Sequence, residues 1–86
     1  MIQAYVLIRL SSPGGDTQTI LRTIDSIPNV QSVSSLYGPD DAIADVHVNE
    51  ADDTREMPVL FDTVAKIRAV NGVLATDTRI VAVRPD

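Results

Sequence analysis

His47 is the single histidine of the chain, and Asp45 stands two residues before it. In a strand those positions share a face, so the carboxylate can orient the imidazole, as in a general base or a proton shuttle. An ordinary histidine at an interface or an edge gives the same pattern. The rest of the catalytic inventory is thin. Ser32, Ser34 and Ser35 have no local base to activate a hydroxyl. The chain is therefore read as no enzyme. Metal chemistry has no better footing: there is no cysteine, and no Asp-X-Asp-X-Asp-Gly loop is present. Neither a metal nor a cofactor is expected. Gly14-Gly15 precedes a helix and could cradle an anion through free N–H groups, but without the Lys of a phosphate-binding loop it reads as a plain loop.

Two other loci carry more. One is the turn Gly38-Pro39-Asp40-Asp41. The other is Gly72-Val73-Leu74-Ala75-Thr76-Asp77-Thr78. Thr76 and Thr78 share one side of a strand, so two hydroxyls point the same way. Hydroxyls, turn N–H groups and a carboxylate are what a free amino acid requires: donors for its carboxylate and an acid for its ammonium. The same residues also suit a closed turn and an ordinary strand, and the chemistry alone leaves both readings open.

The elements that must position these groups follow from hydrophobic period. Ile2 to Leu10 alternates as a strand, with Ile2, Ala4, Val6, Ile8 and Leu10 on one face. Ser11-Ser12-Pro13-Gly14-Gly15 is a loop, and Asp16 or Thr17 can cap the helix that follows. Ile20, Leu21, Ile24 and Ile27 form its stripe, and Pro28 ends it. Val30 to Tyr37 is a second strand, and Ala42 to Val48 is a third. The short turn between them makes an antiparallel hairpin. A second helix spans about Asp53 to Val70, with the stripe Met57, Leu60, Phe61, Val64, Ile67 and Val70 and with Pro58 in or near its first turn. Asp52, Asp53 and Glu56 suit its start, where acids complement the helix dipole. Gly72 is placed as a left-handed cap. The last strand runs from Val73 to about Val83, and Arg84-Pro85-Asp86 is a tail.

The order β-α-β-β-α-β contains a pseudo-repeat. Ile24…Ile27-Pro28-Asn29-Val30 aligns with Ile67…Val70-Asn71-Gly72-Val73. Each half is a split βαβ unit, which predicts an α+β, ferredoxin-like domain: a four-stranded antiparallel sheet with two helices on one face. Eighty-six residues make one domain, 1–86, with a modest core. The other sheet face would present Tyr5, Leu7, Ile43, Asp45 and His47. It is too apolar to stay in water, and a second copy of the chain is the simplest cover, giving a dimeric α+β-barrel type of assembly.

The net charge of −5 is uneven. Seven of the twelve acids lie between Asp40 and Glu56, with Arg55 the only base among them. This sign disfavours direct nucleic-acid binding and anionic membranes. No apolar run approaches the roughly 20 residues that span a bilayer, and the N-terminus lacks a signal-peptide pattern, so a cytoplasmic protein is expected.

The two loci also carry a family resemblance that covers essentially the whole chain. Val30-Gln31-Ser32-Val33 with Tyr37-Gly38-Pro39-Asp40-Asp41 resembles the hairpin motif of the ligand-binding and oligomerisation (RAM) domain of the Lrp/AsnC, or feast/famine, transcription regulators. Gly72-Val73-Leu74-Ala75-Thr76-Asp77-Thr78-Arg79-Ile80-Val81 resembles that domain's G-V-x-x-T-x-T-x-I-V ending. The resemblance implies a protomer that dimerises through its sheet and assembles into larger rings, with an amino-acid effector bound between dimers. Gly38, Asp41, Thr76 and Thr78 would form the pocket, with Pro39, Asp40 and Asp77 close by. A full-length Lrp/AsnC regulator is a further partner through co-assembly. Two departures stand out. The first strand starts at residue 2, which leaves no helix-turn-helix ahead of it and suggests a stand-alone module. Asp40 replaces the usual aromatic residue before Asp41, which biases the site towards a cationic amino acid. The competing readings are a small monooxygenase- or isomerase-like enzyme of the dimeric α+β-barrel type using His47 and Asp45, and a pure assembly domain.

Overall fold

A computed structural model of the chain describes residues 1–11 and 16–81. Gly14-Gly15, the last strand beyond Val81 and the tail lie outside the described residues. Strand β1 (Ile2–Leu10) buries Ala4, Val6, Ile8 and Leu10, as its alternation requires. It is followed by helix α1 (Thr17–Asp25), strands β2 (Val30–Ser35) and β3 (Ala42–Val48), helix α2 (Glu56–Arg68) and strand β4 (Val73–Ile80). A single 3₁₀ turn, Asp53–Arg55, leads into α2. The strands pair antiparallel throughout in the order β2-β3-β1-β4. This is the expected ferredoxin-like βαββαβ sheet.

The core lies between the sheet and the helices. Val6, Ile8, Val46 and Val48 from the two central strands meet Ile24 of α1 and Leu60 and Ile67 of α2, all fully buried. Burying each such side chain contributes roughly 1.5–3 kcal/mol. α1 lies against β2, and α2 against β4 and β1.

The pseudo-repeat is structural. Asn29 and Gly72 occupy equivalent positions and both take positive φ, 77° and 103°. After each, the same bond closes the turn into the next strand: Val30 N–H to Ile27 O and Val73 N–H to Val70 O, each 3.1 Å. Asn tolerates the left-handed region better than most residues, and Gly adopts it freely. Gly72 is further fixed by packing, because a Cβ there would stand 2.5 Å from Ile20 Cδ1.

Four local expectations need correction. Asp16 occupies the cap position of α1, yet its side chain makes no capping hydrogen bond. Phe61 is 60% exposed, and Thr63 is buried in its place. Thr63 enters the core because its hydroxyl donates to Val59 O at 2.9 Å and accepts from Asn29 Nδ2 at 3.4 Å. Asp52 does cap the 3₁₀ turn, but Glu56 is buried, with Oε2 3.1 Å from the Met1 amino nitrogen. The second strand stops at Ser35, so the connection between β2 and β3 is six residues, 36–41, and not a four-residue turn.

Candidate functional site

The 36–41 connection is closed by its own backbone and anchored by Asp41. Leu36 N–H donates to Asp41 O at 2.9 Å, and Asp41 N–H donates to Ile8 O at 2.8 Å. The Asp41 carboxylate reaches further: Leu10 N–H donates to its Oδ2 at 2.7 Å. Leu10 lies where the pairing of β1 with β4 shifts register, so Asp41 serves a backbone group at an irregularity. The neighbouring Asp40 is half-buried and makes no hydrogen bond or ion pair among the described residues. Gly38 has φ +127° with open space where a Cβ would stand, so conformation and not packing selects glycine there. Gly38 and Pro39 are exposed, and beside them Tyr37 is wholly exposed.

On β4, Thr78 stands opposite Val6 and Thr76 opposite Ile8, so both hydroxyls lie on the helix-covered side of the sheet. Both residues are half-buried, and neither side chain is hydrogen-bonded among the described residues. Asp77 stands opposite Leu7 and points to the other face. There its Oδ2 accepts from Arg79 Nη2 at 2.8 Å and Nε at 3.0 Å. The pleat thus separates Asp77 from the two threonines, although it stands between them in sequence. β1 lies between the hairpin and β4, with Ile8 paired to Ala42 on one side and Thr76 on the other. Two strand spacings of about 4.8 Å keep these loci roughly 10 Å apart. Gly38, Pro39, Asp40 and Asp41 therefore form one group, Thr76 and Thr78 a second, and Asp77 a third.

The open sheet face holds the side chains expected of it. Leu7 and Ile43 are directly paired and half-buried, and Tyr5 is exposed beside them. At one end of this apolar strip, Asp45 Oδ1 lies 3.1 Å from His47 Nε2. The pair is in close contact without a directed hydrogen bond, and His47 Nε2 is shielded from water. Gln3 Nε2 donates to the same Asp45 oxygen at 3.0 Å and to the Tyr5 hydroxyl at 3.3 Å. Gln3 was not singled out from sequence. Its position opposite His47 in the β1–β3 register is the signal that would have found it.

Sequence reasoning also missed an open groove of about 950 Å³ between α1 and the end of α2, lined by Thr19, Ile20, Thr23, Ile27, Lys66 and Val70 among others. None of the expected ligand residues borders it. At the entry to α2, a side-chain and a backbone hydrogen bond from Thr54 hold the Asp52 carboxyl below the ordinary carboxylate range. Among the described residues no group of three or more His, Cys, Asp or Glu side chains is placed to hold a metal. No described helix is long and apolar enough to cross a membrane.

No family model and no curated protein matches the sequence. Solved structures do. The protein TTHA0845 from Thermus thermophilus is 30% identical, with a TM-score of 0.75 over 100% of this chain and 99% of its own. AsnC from Escherichia coli is 19% identical, with a TM-score of 0.77 over 99% of this chain and 53% of its own. The feast or famine regulatory protein Rv3291c from Mycobacterium tuberculosis, solved in complex with L-methionine, is 23% identical. Its TM-score is 0.73, over 98% of this chain and 52% of its own. The chain thus spans about half the length of these two proteins and shares their fold over that half.

Proposed function

We propose that this chain, which belongs to one family with the Thermus thermophilus protein and has the Lrp/AsnC RAM-type fold, is an amino-acid-binding and oligomerising module. It would sense a free amino acid itself or modulate a full-length regulator by co-assembly. The observation that carries this reading is the fold match, which covers 99% of this chain against AsnC and 98% against Rv3291c. The net charge of −5 supports a module that does not itself contact nucleic acid.

Two features of the surface support it further. Tyr5, Leu7 and Ile43 leave an apolar strip on the open sheet face, which packing against the same face of a second copy would cover. Asp40, Thr76 and Thr78 carry polar groups with no partner among the described residues. The hairpin and the threonine pair are separated within one protomer, so a pocket using both takes its second half from a neighbouring copy. In that pocket the threonine hydroxyls and turn N–H groups would receive the ligand's carboxylate. Asp40 would face its ammonium or a cationic side chain.

Calorimetric titration of the free amino acids tests this. Binding of at least one is expected, with Lys or Arg ahead of Asp and Glu. Absence of binding by every amino acid would overturn the ligand reading, and preference for acidic ligands would overturn the role of Asp40.

A further inference from the structure

Accepting that the open sheet face is the assembly surface, we infer that His47 and Asp45 make the assembly proton-dependent, with the protomers associating more tightly as His47 becomes protonated. The pair sits on that face, with Nε2 of the imidazole 3.1 Å from Oδ1 of the carboxylate. In the free protomer both side chains still reach water, at 31% and 25% exposure. Covering the face removes that water.

The protonation state of the imidazole then decides the electrostatics. With His47 neutral, each protomer carries an ionised Asp45 into the interface. Its visible neutral support is the amide of Gln3. A carboxylate leaving water with so little compensation is costly, and two copies across a two-fold double the cost. With His47 protonated, the same carboxylate enters beside a cation, and the pair is neutral overall. Assembly therefore takes up protons, and linkage ties proton uptake to tighter association as pH falls.

Among the described residues, few charged side chains face this pair. From β1, Gln3 stands opposite His47 and Tyr5 opposite Asp45. From β2, Ser32 stands opposite Asp45, and Asn29 just before that strand accepts the His47 backbone N–H at 2.9 Å. None of these is charged near neutral pH. The nearest charges on β4 are Arg79, across β1 opposite Tyr5, and its partner Asp77. They neutralise one another. The helices pack on the opposite side of the sheet. Imidazole is the side chain whose ordinary titration falls between about pH 5 and 8.

Sedimentation equilibrium of the full chain at about pH 6 and about pH 8 tests the inference, with His47→Gln and Asp45→Asn alongside. The wild-type dissociation constant is expected to be at least about tenfold lower at the acid end, the scale set by one proton coupled per dimer over one pH unit. His47→Gln keeps a polar side chain without the titration and should lose most of that difference. Asp45→Asn removes the buried carboxylate charge and should assemble at least as well at the alkaline end as at the acid end. Equal wild-type association at both values overturns the inference while leaving sheet assembly intact, as does an undiminished difference in His47→Gln. A wild-type monomer at every concentration and pH overturns both together.

Discussion

Leu10 and Asp41, thirty-one residues apart in the chain, are joined by a 2.7 Å hydrogen bond from the Leu10 N–H to the Asp41 carboxylate. The bond pins the β2–β3 connection to the end of the central strand, next to the register shift between β1 and β4. One oxygen of Asp41 is thereby occupied by structure, while its neighbour Asp40 has no partner among the described residues. Asp41→Ala strands the Leu10 N–H and should cost about 1–3 kcal/mol in urea unfolding. Asp41→Asn keeps an acceptor and should cost less.

Thr76 and Thr78 separate binding from folding. Both hydroxyls are without a partner among the described residues, so replacing either with the near-isosteric Val should change stability by less than about 0.5 kcal/mol. If they hold a ligand carboxylate, each substitution should weaken amino-acid binding by about 3- to 10-fold, the value of one lost hydrogen bond. Calorimetry on the two variants reads this directly. Unchanged affinity in both would remove the threonines from the site.

Gly72 and Gly38 distinguish crowding from backbone conformation. Both have positive φ, but only Gly72 has a neighbour, Ile20, within reach of a new Cβ. Gly38→Ala should cost about 1–2 kcal/mol for the conformation alone. Gly72→Ala should cost more, because Ile20 must also move. Equal losses for the two in thermal unfolding would show that Ile20 adapts freely.

Asp52 supplies a pH dependence of fixed sign. The hydrogen bonds from Thr54 lower its pKa in the folded state. Its contribution is therefore complete above the ordinary carboxylate range and disappears as the pH falls through the lowered folded value. Asp52→Ala should melt below the wild type at about pH 7, and the gap should close by about pH 2. A gap that persists in acid would assign the effect to something other than the carboxylate.

The strands were legible because a two-residue period admits little ambiguity. Ala4, Val6 and Ile8, with Ala42, Ala44 and Val46, point to the core as their alternation requires. The pseudo-repeat was legible for a similar reason, since Asn29 and Gly72 mark turns that few residues tolerate. The helix stripe was less so. Phe61 by type belongs inside and Thr63 outside, but bonds to Val59 and Asn29 satisfy the Thr63 hydroxyl and let it take the interior place. Glu56 could not be read because its partner, the amino group of Met1, is remote in sequence. The candidate site was legible as residue types and not as an arrangement. Spacing placed Thr76 and Thr78 on one side, but the register against Val6 and Ile8 decides which side that is and sends Asp77 to the other.

Sedimentation velocity of the chain, alone and with each amino acid in turn, addresses the central claim most directly. Without ligand the account predicts a dimer or larger species, and with at least one amino acid, foremost Lys or Arg, a shift in the distribution of assemblies. A monomer at all concentrations, indifferent to every amino acid, would contradict it.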